Sequence, residues 1–183
     1  NAIAAELIAK ATVVRPDRAD AHYDLGVVYQ GLHRFDDATT CYQKSLSISP
    51  DNALAHNNLG TVLRQLGNME DAVSSFRKAI NIKTDYAAAH SNLGLAYQDL
   101  GNLNDALNQF ETALNITHSA AEIHYNHGNV LQELGRLEEA ADSYEAALQI
   151  NPRSPEANTN LGLTLCDLGR LEEARDSYLK ALA

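Results

Sequence analysis

The sequence predicts an all-α fold, a right-handed superhelical solenoid built from stacked helix-turn-helix hairpins. Three observations predict it. Glycines recur every 34 residues, each interval holds two blocks of apolar residues at helical spacing, and alanines recur at fixed positions in the second block. The glycines that set the period are Gly26, Gly60, Gly94, Gly128 and Gly162. A single hairpin of this size cannot bury its apolar faces, so neighbouring hairpins have to stack.

The repeat boundaries follow from the same period. With Ala19 as the first position, five units cover 19–52, 53–86, 87–120, 121–154 and 155–183, the last of them truncated. Residues 1–18 are expected to be the second helix of a preceding repeat, helical over roughly residues 1–14. The whole chain, 1–183, is therefore expected to form one array of eleven helices.

The ends of the helices are marked by particular residues. In four repeats a glycine follows the last leucine of the first block, where a left-handed residue closes a helix without a Cβ clash: Gly67, Gly101, Gly135 and Gly169. His33 has this place in the first repeat, so we expect that turn to be strained or differently shaped. Ser154 followed by Pro155 predicts an N-cap and a proline in the first helical position.

Two further columns indicate how each hairpin closes. Small residues are expected opposite the glycine column, where they let the helices approach closely: Ala38, Ala72, Ala106, Ala140 and Ala174. Aromatic rings are expected to fill the volume between neighbouring hairpins: Tyr42, Phe76, Phe110, Tyr144 and Tyr178.

The composition excludes several classes of partner. The formal net charge of −10 and the pI near 5.0 oppose binding to nucleic acid or to an anionic membrane surface. No apolar run is long enough to cross a membrane. Cys41 and Cys166 match no metal or redox spacing, and they favour a reducing compartment such as the cytoplasm without establishing the localisation.

The 34-residue unit resembles the tetratricopeptide repeat (TPR). The resemblance rests on Leu-Gly at positions seven and eight, Ala at position twenty, an aromatic residue at position twenty-four and Ala-Leu or Ala-Ile near the end, and it covers the whole chain. Within the family, Asn-Leu-Gly preceded by Ala-His is similar to the superhelical arrays of O-GlcNAc transferase-like proteins. Position five carries no lysine, so the carboxylate clamp of chaperone-binding members is not implied.

The first helix of each repeat is expected to expose one face along a concave groove. At position six this face carries asparagine in four repeats, and an amide can pair with both the C=O and the N–H of an extended peptide. The alternative is that these asparagines form hydrogen bonds between repeats. The predicted peptide contacts are Asp24, Asn57, Asn58, Arg64, Asn92, Gln98, Asn126, Asn129, Gln132 and Asn160.

The charge of the same face predicts the partner. Seven acidic residues lie on it, and Arg64 is its one basic residue: Asp20, Asp24, Asp99, Glu122, Glu133, Glu156 and Asp167. We therefore expect a neutral or basic polypeptide partner.

Catalytic and metal sites find little support in the sequence. The histidines at position four lie on helices roughly 10 Å apart, too far to share one metal ion. His124 and His127 could supply two ligands, but no third is evident, so packing is the better interpretation, and a buried His127 would need a hydrogen-bond partner. No catalytic constellation is found in the sequence, and we predict neither an enzyme nor a cofactor.

Three functions fit these observations. The main prediction is a protein-protein interaction module that binds an extended polypeptide along its groove. The alternatives are the substrate-recruiting arm of an O-GlcNAc transferase-like glycosyltransferase whose catalytic domain lies outside this chain, and a self-assembling structural scaffold. End-to-end self-association is also expected, because apolar residues at both ends lack cover: Ile3, Leu7, Ile8, Tyr178, Leu179 and Leu182.

Overall fold

The computed structural model describes residues 16–182, and within that range the chain has ten α-helices and no strand. The first helices of the hairpins are α1 (Ala19–Gly31), α3 (Ala53–Gln65), α5 (Ala87–Asp99), α7 (Ala121–Glu133) and α9 (Pro155–Asp167). The second helices are α2 (Phe35–Ile48), α4 (Met69–Ile82), α6 (Leu103–Ile116), α8 (Leu137–Ile150) and α10 (Leu171–Ala181). Each first helix begins at the first position of its sequence repeat. The helix expected over 1–14 lies outside the described residues, as do Ile3, Leu7 and Ile8.

Two compact units divide the described residues after Ala96, within α5. In the first unit α1 packs on α2, α2 on α3, and α3 on α4. In the second unit α6 packs on α7, α7 on α8, α8 on α9, and α9 on α10. Each unit is thus a stack of helical hairpins, in which a second helix also contacts the first helix that follows it.

The turns inside the hairpins form as their residues predict. Gly67, Gly101, Gly135 and Gly169 all have positive φ, between 73° and 80°. His33 is the non-glycine residue with positive φ, at 56°, among the described residues. The Arg34 amide donates to the Tyr29 carbonyl at 2.9 Å, as the Asn68 amide does to Leu63 in the next repeat. The first turn therefore keeps the shape of the others, and its cost is backbone strain at His33.

Two of the first helices begin with a side-chain cap, one of them at Ser154 as expected. The Ser154 hydroxyl accepts from the Ala157 amide at 3.2 Å, and Pro155 follows in the first turn of α9. The Asn52 side chain accepts from the Ala55 amide in the same way at the start of α3. Both caps satisfy amides that the helix itself leaves unpaired.

The glycine column lies against the aromatic column of the same hairpin, a pairing that was not expected from the sequence. A Cβ atom added at Gly26, Gly60, Gly128 or Gly162 would lie 2.7 Å from the aromatic ring on the second helix of that hairpin, and its three nearest atoms all belong to that ring. These rings are Tyr42, Phe76, Tyr144 and Tyr178. The rings therefore lie inside the hairpins at the glycines, and the hydroxyl groups of Tyr42 and Tyr144 also reach the following repeat, at Asn58 and Asn160. Because the aromatic side chain is wide, only a residue without a side chain fits beside it.

Candidate interaction face

The histidines at position four hold the loops that connect the repeats. The Nε2 atoms of His22, His56, His90 and His124 lie 2.9 to 3.3 Å from the carbonyl oxygen six residues earlier. Because a carbonyl only accepts, Nε2–H is the donor in each bond. Asn158 in the fifth repeat substitutes for histidine by donating to the Pro152 and Ser154 carbonyls. This column therefore has a structural role, as its interpretation as packing residues predicted.

His127 replaces the leucine of other repeats and has the hydrogen-bond partner that its position requires. Its Nδ1 lies 2.9 Å from the Ser143 hydroxyl, which itself donates to the Glu139 carbonyl. The hydroxyl must then accept from Nδ1–H, and Nε2 is left as a buried acceptor with no hydrogen-bond partner among the described residues. Burial lowers the pKa of His127 to about 4, so the side chain is neutral at pH 7.

In the first unit the position-six asparagines are bonded to the preceding repeat. Asn58 Nδ2 donates to the Tyr23 hydroxyl at 3.1 Å, and Asn92 Nδ2 donates to Asn57 Oδ1 at 2.9 Å. Each bond joins position six of one repeat to position five of the repeat before it. The structure therefore shows the alternative role for these two side chains, which is hydrogen bonding between repeats.

The second unit repeats this arrangement. Asn160 Nδ2 donates to the Tyr125 hydroxyl at 3.2 Å and to Asn129 Oδ1 at 2.9 Å. The Tyr144 hydroxyl lies within hydrogen-bond distance of both Asn129 Oδ1 and Gln132 Oε1. Two predicted contact residues, Asn129 and Gln132, therefore also belong to the internal network of this unit.

The remaining predicted contacts differ in accessibility. Asn57 and Asn126 are buried, 6% and 8% exposed, so little of either side chain could meet a partner. Both were expected on the exposed face of the first helices, but they are buried among the stacked helices. Gln98 donates to Glu133 of the next repeat. Asp24 is exposed and Arg64 is half-buried.

These bonds fix the orientation of the amides. An asparagine that donates through Nδ2 to a neighbouring helix has its Oδ1 atom directed elsewhere, and that oxygen remains an acceptor. The tyrosines at position five, Tyr23 and Tyr125, were not among the predicted site residues although they anchor the amides. A signal existed in the sequence, since a tyrosine at position five lies 35 residues before an asparagine at position six. Within each unit, we call the exposed sides of the first helices, with these oxygens and the acidic residues, the first-helix face.

The charge of the first-helix face is reduced slightly by an ion pair. Arg18, just before α1, pairs with Asp20 and lowers the pKa of its carboxyl group. The acidic excess on this face therefore comes mainly from the other residues, among them Asp24, Glu122 and Glu156. On the second helices the pattern is different, because Glu139 and Glu173 are paired with Arg136 and Arg170 at 2.6 Å.

A pair of equivalent cavities lies on the opposite side of the hairpins, one in each unit. Their volumes are about 450 and 410 Å³. Each is lined by the residue at position four and by a lysine and an acidic residue of a second helix: His56, Lys78 and Asp71 in the first, and Asn158, Lys180 and Glu173 in the second. The second cavity is also lined by Glu145 and Asp176. Glu173 and Asp176 are paired with Arg170 and Arg175, which leaves Glu145 and Lys180 as charges of opposite sign, so neither cavity indicates a preferred partner.

Neither a metal centre nor a membrane span is found in the described part of the chain. Over residues 16–182, no three histidine, cysteine, aspartate or glutamate side chains are grouped so that they could hold a metal ion. In the same range, none of the helices combines the length and the apolar character needed to cross a membrane.

Two family models, both described as tetratricopeptide repeat, match almost all of these hairpins. One matches residues 17–85, 51–117 and 85–153, and the other matches residues 125–183. Together the matches extend from residue 17 to the end of the chain. No curated protein matches the sequence.

Solved structures support the fold independently. A crystal structure of MamA has 27% sequence identity and a TM-score of 0.80, and the match covers 90% of each chain. TTC0263, a thermophilic TPR protein of Thermus thermophilus, has 26% identity, a TM-score of 0.72 and 90% coverage of both chains. YrrB, described as a TPR protein with an unusual peptide-binding site, has 22% identity, a TM-score of 0.76 and coverage of 97% of this chain and 92% of its own. The predicted all-α repeat fold is confirmed by these likenesses.

Proposed function

Because this chain belongs to the tetratricopeptide-repeat family, we propose that it binds an extended, neutral or basic segment of a partner protein along its first-helix face. The repeat fold is in general that of a protein-protein interaction module. YrrB, which shares the fold, is described as having a peptide-binding site, and at 22% identity that likeness supports the fold alone. None of the three solved relatives is described as a glycosyltransferase, so the transferase-arm alternative gains no support.

One observation carries the proposal: the amides of the first-helix face are fixed through their nitrogen atoms. Asn58, Asn92 and Asn160 each donate to a side chain of the preceding repeat. Their oxygens are therefore held in place before a partner arrives, which lowers the entropy that binding would otherwise cost. The Asn58 oxygen already accepts from Asn57 Nδ2 at 3.4 Å, and an amide oxygen can accept a second bond. An extended peptide offers backbone N–H donors to such acceptors, whatever its side chains are.

The charge of the first-helix face distinguishes between peptide sequences, which hydrogen bonds to a peptide backbone cannot do. Exposed carboxylates such as Asp24 attract lysine and arginine side chains and repel acidic segments. Because these carboxylates are exposed, salt screens them, and the contribution of each is modest.

A selection of peptides from a random displayed library tests the proposal. We expect basic and neutral sequences to be selected, and their affinity to fall as NaCl is raised from about 0.05 M to about 0.5 M. Asp24→Asn should weaken binding by up to about five-fold, as expected for an exposed charge. Asp105→Asn, an equally exposed change in the first turn of α6, is the matched control and should have no effect. Selection of acidic peptides, or equal effects of the two variants, would contradict the proposal.

A further inference from the structure

A small, mostly apolar cavity opens on the first-helix face of the second unit. Its volume is about 220 Å³, and it lies where the starts of α7 and α9 meet the end of α8. The walls include the side chains of Ala121, Tyr125, Ala147 and Ala157, and the carboxylate residues Glu122 and Glu156 lie at its edge. A single water needs only about 10–15 Å³, so the cavity has room for a side chain of several heavy atoms.

The charged part of this lining is acidic. Glu122 and Glu156 are exposed, and neither carboxylate has an ion-pair partner among residues 16–182. Glu156 accepts a hydrogen bond from the Ser154 hydroxyl at 3.1 Å, which holds its side chain beside the cavity. Neither lysine nor arginine contributes to the lining. The charge of the site is therefore negative and unbalanced.

The aromatic wall is held by its neighbours. The Tyr125 hydroxyl accepts from Asn160 at 3.2 Å, and its ring packs at 5.9 Å from the Tyr144 ring with a tilt of 49°. Tyr144 is fully buried, so the ring of Tyr125 rests on a rigid support. A fixed ring beside two carboxylates is a favourable environment for a cation on an alkyl chain.

We propose that this cavity receives a lysine or arginine side chain of the bound polypeptide. Its alkyl part lies against Tyr125, Ala147 and Ala157, and its cationic head lies between Glu122 and Glu156. This inference rests on the proposed function and adds a specificity-determining contact to it.

The combination of residues occurs once in the sequence. A tyrosine at position five is found in the first and fourth repeats, as Tyr23 and Tyr125. After Tyr23, position two of the following repeat is Leu54, whereas after Tyr125 it is Glu156. The cavity therefore determines which residue of a bound peptide lies beside Tyr125. A basic side chain meets two carboxylates and a tyrosine ring together only at this cavity.

Amide chemical shifts of the full chain, labelled with ¹⁵N, test the proposal with three small probes. These are the N-acetyl methylamides of lysine, arginine and norleucine, the last of which has the alkyl chain without the charge. We expect the lysine or the arginine probe to shift the signals of Tyr125 and Ala157, and norleucine to bind at least about three-fold more weakly. Comparison of the two basic probes shows which cation the cavity prefers.

Matched variants complete the test. Glu122→Gln and Glu156→Gln keep the shape of exposed side chains, and each should weaken the basic probe by about three- to five-fold. Glu138→Gln, an exposed change in the first turn of α8 away from the cavity, is the control and should leave the affinity for the basic probe unchanged. Equal binding of norleucine, insensitivity to both cavity variants, or no shift with any probe would overturn the inference. If selected peptides still bind the first-helix face in that case, the proposed function stands and only this contact is rejected.

Discussion

Single residues decide how closely the two helices of a hairpin approach. Gly60 and Phe76 are in contact in the second hairpin, and Phe76 is fully buried. The same pairing recurs at Gly26, Gly128 and Gly162, so the common shape of the unit depends on a missing side chain at one position.

Gly60→Ala should therefore lower the free energy of unfolding by about 1–3 kcal/mol, as overpacking of a dense core does. The reason is that the new Cβ would lie 2.7 Å from Phe76 Cε1, and the buried ring is closely surrounded. Urea unfolding followed by circular dichroism measures the change. Gly31→Ala is the control, because nothing lies within 4 Å of its Cβ position and alanine favours the helix. Equal destabilisation by both variants would contradict the explanation.

His127 gives the second prediction at this scale. Replacement by leucine removes a buried acceptor without a partner among the described residues, so His127→Leu should raise the free energy of unfolding by about 1 kcal/mol at pH 7. Ser143 stays satisfied, since its hydroxyl still donates to the Glu139 carbonyl.

The gain in unfolding free energy from His127→Leu should depend on pH. Burial lowers the pKa of His127 to about 4 in the folded chain, below its ordinary value of 6.5. Between these two values the unfolded chain binds a proton that the folded chain does not, so the parent loses stability as the pH falls from 6.5 towards 4. The advantage of His127→Leu should therefore widen over this range, measured as the difference in urea midpoints. A difference that stays constant would show that the histidine is not held neutral by burial.

At the scale of helices, the main finding is that neighbouring first helices are joined through polar side chains. Asn160 of α9 donates to Tyr125 and Asn129 of α7, and Asn58 of α3 donates to Tyr23 of α1. The losses of unfolding free energy caused by replacing the donor and the acceptor of such a bond should therefore not be additive.

A double-mutant cycle on Tyr125→Phe and Asn160→Ala measures this coupling, which we expect to be about 0.5–1.5 kcal/mol, the value of one hydrogen bond. Tyr125→Phe combined with Asn104→Ala, an exposed change on α6, should be additive. Additivity in the first cycle as well would mean that the hydrogen bond between Tyr125 and Asn160 contributes nothing to stability.

Helix positions could be predicted from the sequence because each boundary depends on local chemistry. Gly67 requires a positive φ, and Ser154 with Pro155 caps and starts a helix, whatever lies elsewhere in the chain. The direction of the asparagine amides could not be predicted in this way. Asn58 could equally have turned towards solvent, and only the position of the Tyr23 hydroxyl in the neighbouring helix decides between the two.

The whole molecule repeats one 34-residue register, with variation at positions two and five of the first helices. The buried columns are nearly constant from repeat to repeat, and they determine the fold that the family and the solved structures share. Position two varies from Leu54 to Glu156 and position five from Asn57 to Tyr125. Position two is exposed in both of these repeats, whereas position five is buried at Asn57 and half-buried at Tyr125. The acidic cavity arises from one combination of the two positions.

Mapping of a selected peptide onto the ¹⁵N-labelled chain tests most directly whether the first-helix face binds the partner. We predict that the shifted amide signals lie on the first helices, around Asp24 and Asn58 if the peptide binds the first unit and around Asn160 if it binds the second. Clustering of the shifts at the cavities on the opposite side, around Lys78 or Lys180, would contradict the account.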